Sequence, residues 1–125
     1  MSANSKFKIT TEIRDILLGE PKITIIIGDQ IFPVVAPKDT PGSFIIYRRD
    51  EYSISYNKMG IHEQSCKVYI SAISDKYGIS QELAYQINEC LKGTFSNPQM
   101  TIRLLDSTED FEDAKYIQTL LFEII

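Results

Sequence analysis

Three groups of residues in this 125-residue chain have side chains that could do chemistry: one histidine, two cysteines and a run of carboxylates. His62 sits beside Glu63, with Cys66 four positions on. A nucleophilic thiol needs an imidazole within hydrogen-bond reach to hold it as thiolate. Four residues of extended chain span about 13 Å, so His62 and Cys66 do not meet. The His62-Glu63 pair also fails as an acid–base unit, because adjacent strand side chains point to opposite faces. His62 therefore reads as a solvated loop residue. Cys66 and Cys90 lack the spacing of a metal knuckle or a redox pair and read as buried, reduced thiols. The stretch from Asp106 to Asp113 holds five carboxylates in eight residues. It lacks the alternating aspartates and the turn glycine of a calcium loop, so a solvated acidic loop is expected. There is no phosphate-cradling glycine loop, zinc spacing, nucleophile elbow or internal repeat. A small enzyme built on Cys66, His62 or the acidic run is the weakest reading, and no metal or other cofactor is implied.

The clearest elements lie between Glu63 and Gly93. From Cys66 the chain alternates, with Cys66, Val68, Ile70 and Ala72 on one face and Lys67, Tyr69, Ser71 and Ile73 on the other, which predicts a strand with its first set toward the core. Leu83, Ala84, Ile87, Cys90 and Leu91 recur at helical spacing and predict an amphipathic helix. Ser80 is placed to cap its start, Ile79 to staple against Ala84, and Lys92-Gly93 to end it. Gln81, Gln86, Asn88 and Glu89 should face water.

Before this unit, Ile9, Ile13, Ile16 and Leu17 predict a short helix over roughly Thr10 to Leu18, ended by Gly19 and Pro21. The β-branched run Lys22 to Ile27, the connection Gly28-Asp29-Gln30 and the run Ile31 to Val35 read as a hairpin. Pro33 makes its second strand an edge. Ala36 to Ser43 is a proline-rich loop. Phe44 to Arg49 reads as a strand that Asp50 to Tyr56 could extend, followed by a turn at Asn57-Lys58-Met59-Gly60. After the helix, Thr94 to Gln99 reads as a connector turning at Asn97-Pro98, Met100 to Leu105 as a strand, and Lys115 to Ile125 as the last strand. Leu120, Phe122 and Ile124 share one face of that strand, and Ile117 and Leu121 leave its other face largely apolar too. With helices on one side of the sheet, that second face awaits a partner.

Length predicts one domain, residues 1–125, with one core. Hydrophobic content of 43% and charged content of 24% are those of an average globular protein. No apolar run reaches the ~20 residues of a membrane helix, and Met1 to Lys8 lacks the apolar stretch of a signal peptide, so a soluble, unsecreted chain is expected. The net charge is −4, and it is unevenly spread. Residues 1–62 carry eight Lys and Arg against seven Asp and Glu, whereas residues 63–125 carry five against ten. So acidic a second half argues against a phosphate-binding groove.

The segment Ile31-Phe32-Pro33-Val34-Val35-Ala36-Pro37-Lys38-Asp39-Thr40-Pro41-Gly42-Ser43-Phe44-Ile45-Ile46-Tyr47-Arg48-Arg49 resembles the tail-completion proteins of long-tailed bacteriophages and prophages, the tail terminator or head-to-tail joining proteins. In that family a short helix and a strand lead into a loop of proline, two residues and threonine, then a strand opened by proline and an aromatic. An alternating strand, a Tyr-Gly turn, an Ala-containing helix, a strand with an acidic loop and a closing strand follow. Val68 to Ile73, Tyr77-Gly78, Gln81 to Leu91, Ile102 to Asp106 and Tyr116 to Phe122 fill those places in order. Ser43 departs from the pattern, standing where the family more often has a second proline.

The elements read above predict an α+β fold, a mainly antiparallel sheet of four to six strands with two helices, one short and N-terminal and one longer and central, packed on one face. The resemblance implies a structural protein of the virion tail or neck, assembled in the host cytoplasm. Such a protein forms a ring, a hexamer in the family, that caps the tail tube, joins the head connector protein and lets DNA pass without specific binding. Subunit or partner contacts are expected at Pro37, Lys38, Asp39, Thr40, Pro41 and Phe44 in the proline loop and its exit. Others are expected at Asp106, Glu109 and Asp110 in the acidic run, and at Ile117 and Leu121 on the closing strand. The competing reading is a small non-catalytic binding or chaperone-like α+β module.

Overall fold

A computed structural model describes residues 6–56, 62–96 and 99–125. The expected turns at Asn57-Lys58-Met59-Gly60 and Asn97-Pro98, the first five residues and the side chain of His62 lie outside the described residues. Three helices cover one face of a six-stranded mixed sheet of order β1-β2-β3-β6-β5-β4. The elements are α1 (Ile9–Leu18), α2 (Pro21–Ile27), β1 (Ile31–Pro33), β2 (Phe44–Tyr56), β3 (His62–Ser74), α3 (Tyr77–Leu91), β4 (Gly93–Ser96), β5 (Gln99–Glu112) and β6 (Lys115–Ile124).

The elements with strong periodicity form as their sequence predicts. α1 buries Ile9, Ile13 and Leu17, one face at three- and four-residue spacing. In β3 Cys66, Val68, Ile70 and Ala72 are all buried against the helices, and in β6 so are Leu120, Phe122 and Ile124. α3 buries Leu83, Ala84, Ile87 and Leu91. It starts earlier than expected, at Tyr77, so Ser80 is not its cap. Ser80 lies inside the first turn, fully buried, with its hydroxyl donating to the Tyr77 carbonyl at 2.7 Å. Ile79 is correspondingly exposed at the surface and staples nothing in the core. Gln81 and Glu89 face water, whereas Gln86 and Asn88 are half-buried.

Three expectations are corrected. The run Lys22 to Ile27 is helix, not strand, so the expected hairpin does not form and the helices number three among the described residues. Pro21 opens the turn with its φ already suited to a helix. Ile23 and Ile27, four residues apart, are then buried while Ile25 is left 85% exposed. A strand would place all three on one face. The core takes the helical pair, and tertiary burial outweighs β-propensity. Gly28, at φ +63°, ends the turn.

Freed from that hairpin, β1 pairs with β2 in parallel, Ile31 opposite Ile45, and it stops at Pro33 on the sheet edge. The segment Thr94 to Gln99 is not a bare connector either, because Gly93–Ser96 pairs with Gln99–Ile102 as β4.

The acidic run is not a loop. It is the second half of β5, paired residue by residue with β6 from Asp106 opposite Leu121 to Glu112 opposite Lys115. The hairpin turns on Asp113 and Ala114, whose φ angles of 52° and 61° are those of a two-residue turn with both central residues left-handed. Asn-Gly or Asp-Gly is the usual signature, and alanine at the second position hides the turn. Alanine there is strained by ~1–2 kcal/mol, offset in part by the freedom that glycine has in the unfolded chain. Ala114→Gly is expected to raise stability by ~0.5–1 kcal/mol, read as a higher urea midpoint.

Two bulges shape the sheet, one between Arg49 and Glu51 in β2 and one between Leu104 and Asp106 in β5. Arg49, Val68, Phe122 and Leu104 are paired neighbours, so both bulges start from the same cross-sheet row. A bulge bends and twists its strand, and two in one row curl the sheet along that line.

Candidate assembly surface

The face of the sheet away from the helices is laid out in rows by the strand registers. The first row is Phe44, Ile73, Ile117 and Asp110, and the second is Ile46, Ser71, Thr119 and Thr108. The third is Arg48, Tyr69, Leu121 and Asp106. The fourth alternates in charge, Glu51, Lys67, Glu123 and Arg103, with the Arg103 Nε–H donating to Glu123 Oε1 at 2.7 Å. Opposite charges on neighbouring strands attract, so this end is self-satisfied. The other end, built on Phe44, Ile46, Ile73 and Ile117, is the apolar one.

At the apolar end lies an open groove of about 680 Å³. Its floor is Phe44, Ile46, Ile73 and Ile117, its wall the proline loop through Pro37, Lys38, Asp39 and Thr40, and its rim the hairpin tip at Glu112, Asp113 and Lys115. The loop is held by its own polar groups. Gln30 Nε2 donates to the carbonyls of Pro41 and Ser43, each at 2.9 Å, and the Thr40 hydroxyl donates to the Pro37 carbonyl at 2.6 Å. Val35 N–H closes a three-residue turn onto the Pro33 carbonyl, leaving Val34 at φ +65°, a strained conformation for a β-branched residue. Ser43, the departure from the family pattern, donates its hydroxyl to Ser74 at 2.9 Å and so ties the loop exit to the end of β3. Lys115 joins the two walls, pairing with Asp75, donating to the Gly42 carbonyl and lying 5.8 Å from the Phe44 ring centre.

Six of the residues expected at a contact surface, Pro37, Lys38, Asp39, Thr40, Phe44 and Ile117, thus line one groove. Pro41 lies in the same loop, Asp110 stands opposite Ile117, and Asp106 stands opposite Leu121. The Asp106 and Asp110 carboxylates also act locally, accepting the backbone N–H of Ser107 and Phe111 at 2.9 and 2.8 Å. Occupied N–H groups blunt an edge strand against indiscriminate pairing. Glu109 does not join the surface. It lies on the helix face, where Oε2 accepts from Tyr77 Oη at 2.8 Å and from Gln118 Nε2 at 2.9 Å. The hydrogen bond to Glu109, with the charge behind it, holds the Tyr77 phenol above its ordinary range. Ile46, Ile73, Glu112 and Lys115 are groove residues that sequence reasoning does not single out. Their signal is the period-two alternation of β2 and β3, which needs the β5–β6 turn to complete the groove.

The groups with catalytic potential are disposed otherwise. Cys66 is 1% exposed, and burial pushes its thiol up to about 11, outweighing the opposing pull of Arg49 and Lys6. Cys90 is half-buried, its thiol raised mainly by burial and its Sγ 3.7 Å from the Ile16 carbonyl it faces. Neither is held as a thiolate nucleophile. Among the described residues no three His, Cys, Asp or Glu side chains converge as metal ligands. Because the folded state holds the Cys66 proton more tightly than the unfolded chain, this group's contribution is complete below about pH 9 and is lost as pH rises toward 11. Native protein at pH 8 is expected to leave Cys66 unlabelled by a thiol reagent while urea-unfolded protein labels fully. Rapid native labelling at Cys66 would show that the strand is open.

Fold and surface together define a three-helix, six-stranded α+β domain with one sheet face packed and the other presented around a rimmed groove. No family model and no curated protein matches the chain. Among solved structures it is similar to a chain described as "Virion of native gene transfer agent (GTA) particle". The likeness covers 90% of this chain and 89% of that one, with a TM-score of 0.74 and 17% sequence identity. At that identity the likeness is one of fold.

Proposed function

We propose that this chain is a structural subunit of a virion, a tail terminator or head-to-tail connector that works by assembling into a ring, six copies by family resemblance. The ring caps the tail tube and offers a surface to the head connector. The observation that carries the reading is the end-to-end likeness of its fold to a chain from a virion particle, nine-tenths of each chain being matched. The gathering of the proline loop and closing strand around one groove supports it, because residues expected at a contact surface share a surface. The two thiols, Cys66 buried and Cys90 half-buried, are both held protonated by burial, which supports a role without catalysis. The net charge of −4 suits a subunit beside DNA in transit, since clustered cations would grip the phosphates.

Light scattering on the purified chain, alone and mixed with a purified phage tail tube protein, tests the proposal. A discrete ring-sized species is expected. A chain that stays monomeric at high concentration in both conditions, and binds no tube protein, would leave the small binding module as the better reading.

A further inference from the structure

We infer that the groove is the socket of a head-to-tail contact between copies of this chain, and that its occupant is the basic aromatic corner formed by Phe7, Lys8 and Arg49 of the next copy. The inference rests on the ring reading and specifies its interface. The socket has an apolar floor and a negative rim. Asp39, Glu112 and Asp113 are exposed there against Lys38, while the charge of Lys115 is met by Asp75. An occupant must therefore bring apolar surface and positive charge together.

One corner of this chain does so. Arg49 Nη1–H donates to the Phe7 carbonyl at 3.0 Å, and its guanidinium lies 4.7 Å from the Phe7 ring centre and 5.9 Å from that of Tyr52. Phe7 and Tyr52 meet edge to face at 5.5 Å. Phe7 is nonetheless 67% exposed, and Lys8 and Arg49 are exposed beside it. A preorganised aromatic–arginine cluster is the composition that dominates the energy of protein contacts. Charge complementarity with the socket supplies orientation.

A copy cannot fill its own socket. Phe44 and Arg49 are five residues apart on β2, about 17 Å along the strand, and they face opposite sides of the sheet. A contact joining two different patches of one chain is heterologous and propagates from copy to copy until rotation closes it, which is how rings form.

Such an interface has a diagnostic test by mixing, read by sedimentation velocity. A socket variant, Glu112→Lys with Ile117→Lys, and a corner variant, Phe7→Ala with Lys8→Glu, should each lose self-association by roughly tenfold or more and run as monomers. Mixed in equal amounts they retain one intact socket and one intact corner, so a dimer that grows no further is expected. Either variant assembling like wild type, or folded variants that stay monomeric on mixing, overturns the interface while an assembling wild type leaves the ring reading standing. A wild type that never assembles overturns both. Should either double variant lose its circular dichroism, Glu112→Gln and Lys8→Gln replace them. These should weaken assembly and reduce its salt dependence, and no change in either property would overturn the interface.

Discussion

Ile87→Asp is expected to abolish folding. Ile87 is fully buried on α3, the helix that packs on β3 and β6 and against both other helices. The substitution removes the ~1.5–3 kcal/mol that burying an isoleucine contributes. It also places a carboxylate among apolar side chains with no cation to pair it, which costs several kcal/mol more or forces it to take up a proton. Against a typical total stability of ~5–15 kcal/mol, the two together exceed what a domain of this size can lose. Loss of the cooperative thermal transition by circular dichroism is the expected result. A soluble variant melting like wild type would mean that another face of α3 is packed.

Phe122→Ala should cost ~3–5 kcal/mol while leaving a folded protein at low temperature. Phe122 is the largest of the fully buried side chains and sits in β6 between Val68 and Leu104, in the row where both bulges begin. Truncation leaves a cavity that the curled sheet is poorly placed to collapse, since its strands are paired on both sides there. A fall in melting temperature of roughly 10–20 °C is expected, whereas a shift under ~3 °C would place Phe122 outside the core. Leu121→Ala, one residue along and half-buried on the other face, should cost far less, which separates the two faces by experiment.

How far the fold was legible follows the kind of signal each element carries. α1, β3, α3 and β6 bury their side chains in unbroken helical or two-residue periods, and such a period states which face meets the core. The run from Lys22 to Ile27 carries no such period, because β-branched residues fill nearly every position. Only the presence of a core contact for Ile23 and Ile27 and none for Ile25 makes it a helix. The acidic run hid its strand for a related reason. All of β5 from Arg103 to Glu112 is exposed, so no buried side chain marks it, and its order comes from backbone pairing with β6.

The candidate surface divides along the same line. Its residues were legible one by one: a proline loop, an apolar second face on the closing strand, and carboxylates nearby. Asp113-Ala114 then decided which of them share a site, by folding the acidic segment back as a hairpin whose tip stands over the proline loop. The hairpin also separates Glu109 from Asp110, since neighbours on a strand face opposite ways.

By itself, then, the sequence determined an α+β domain with a two-faced central strand and a helix to cover one face, and it withheld any activated nucleophile. Periodicity encodes these directly, because burial of side chains two or four residues apart is a local property. Only the tertiary structure decided that β1 runs parallel to β2, that the acidic segment is an edge strand, and that loop and hairpin tip enclose a groove across the sheet. The first and the last depend on contacts between segments separated in the chain, whose free energy appears only as the sheet assembles, whereas the acidic strand is a local hairpin whose exposed side chains carry no burial period.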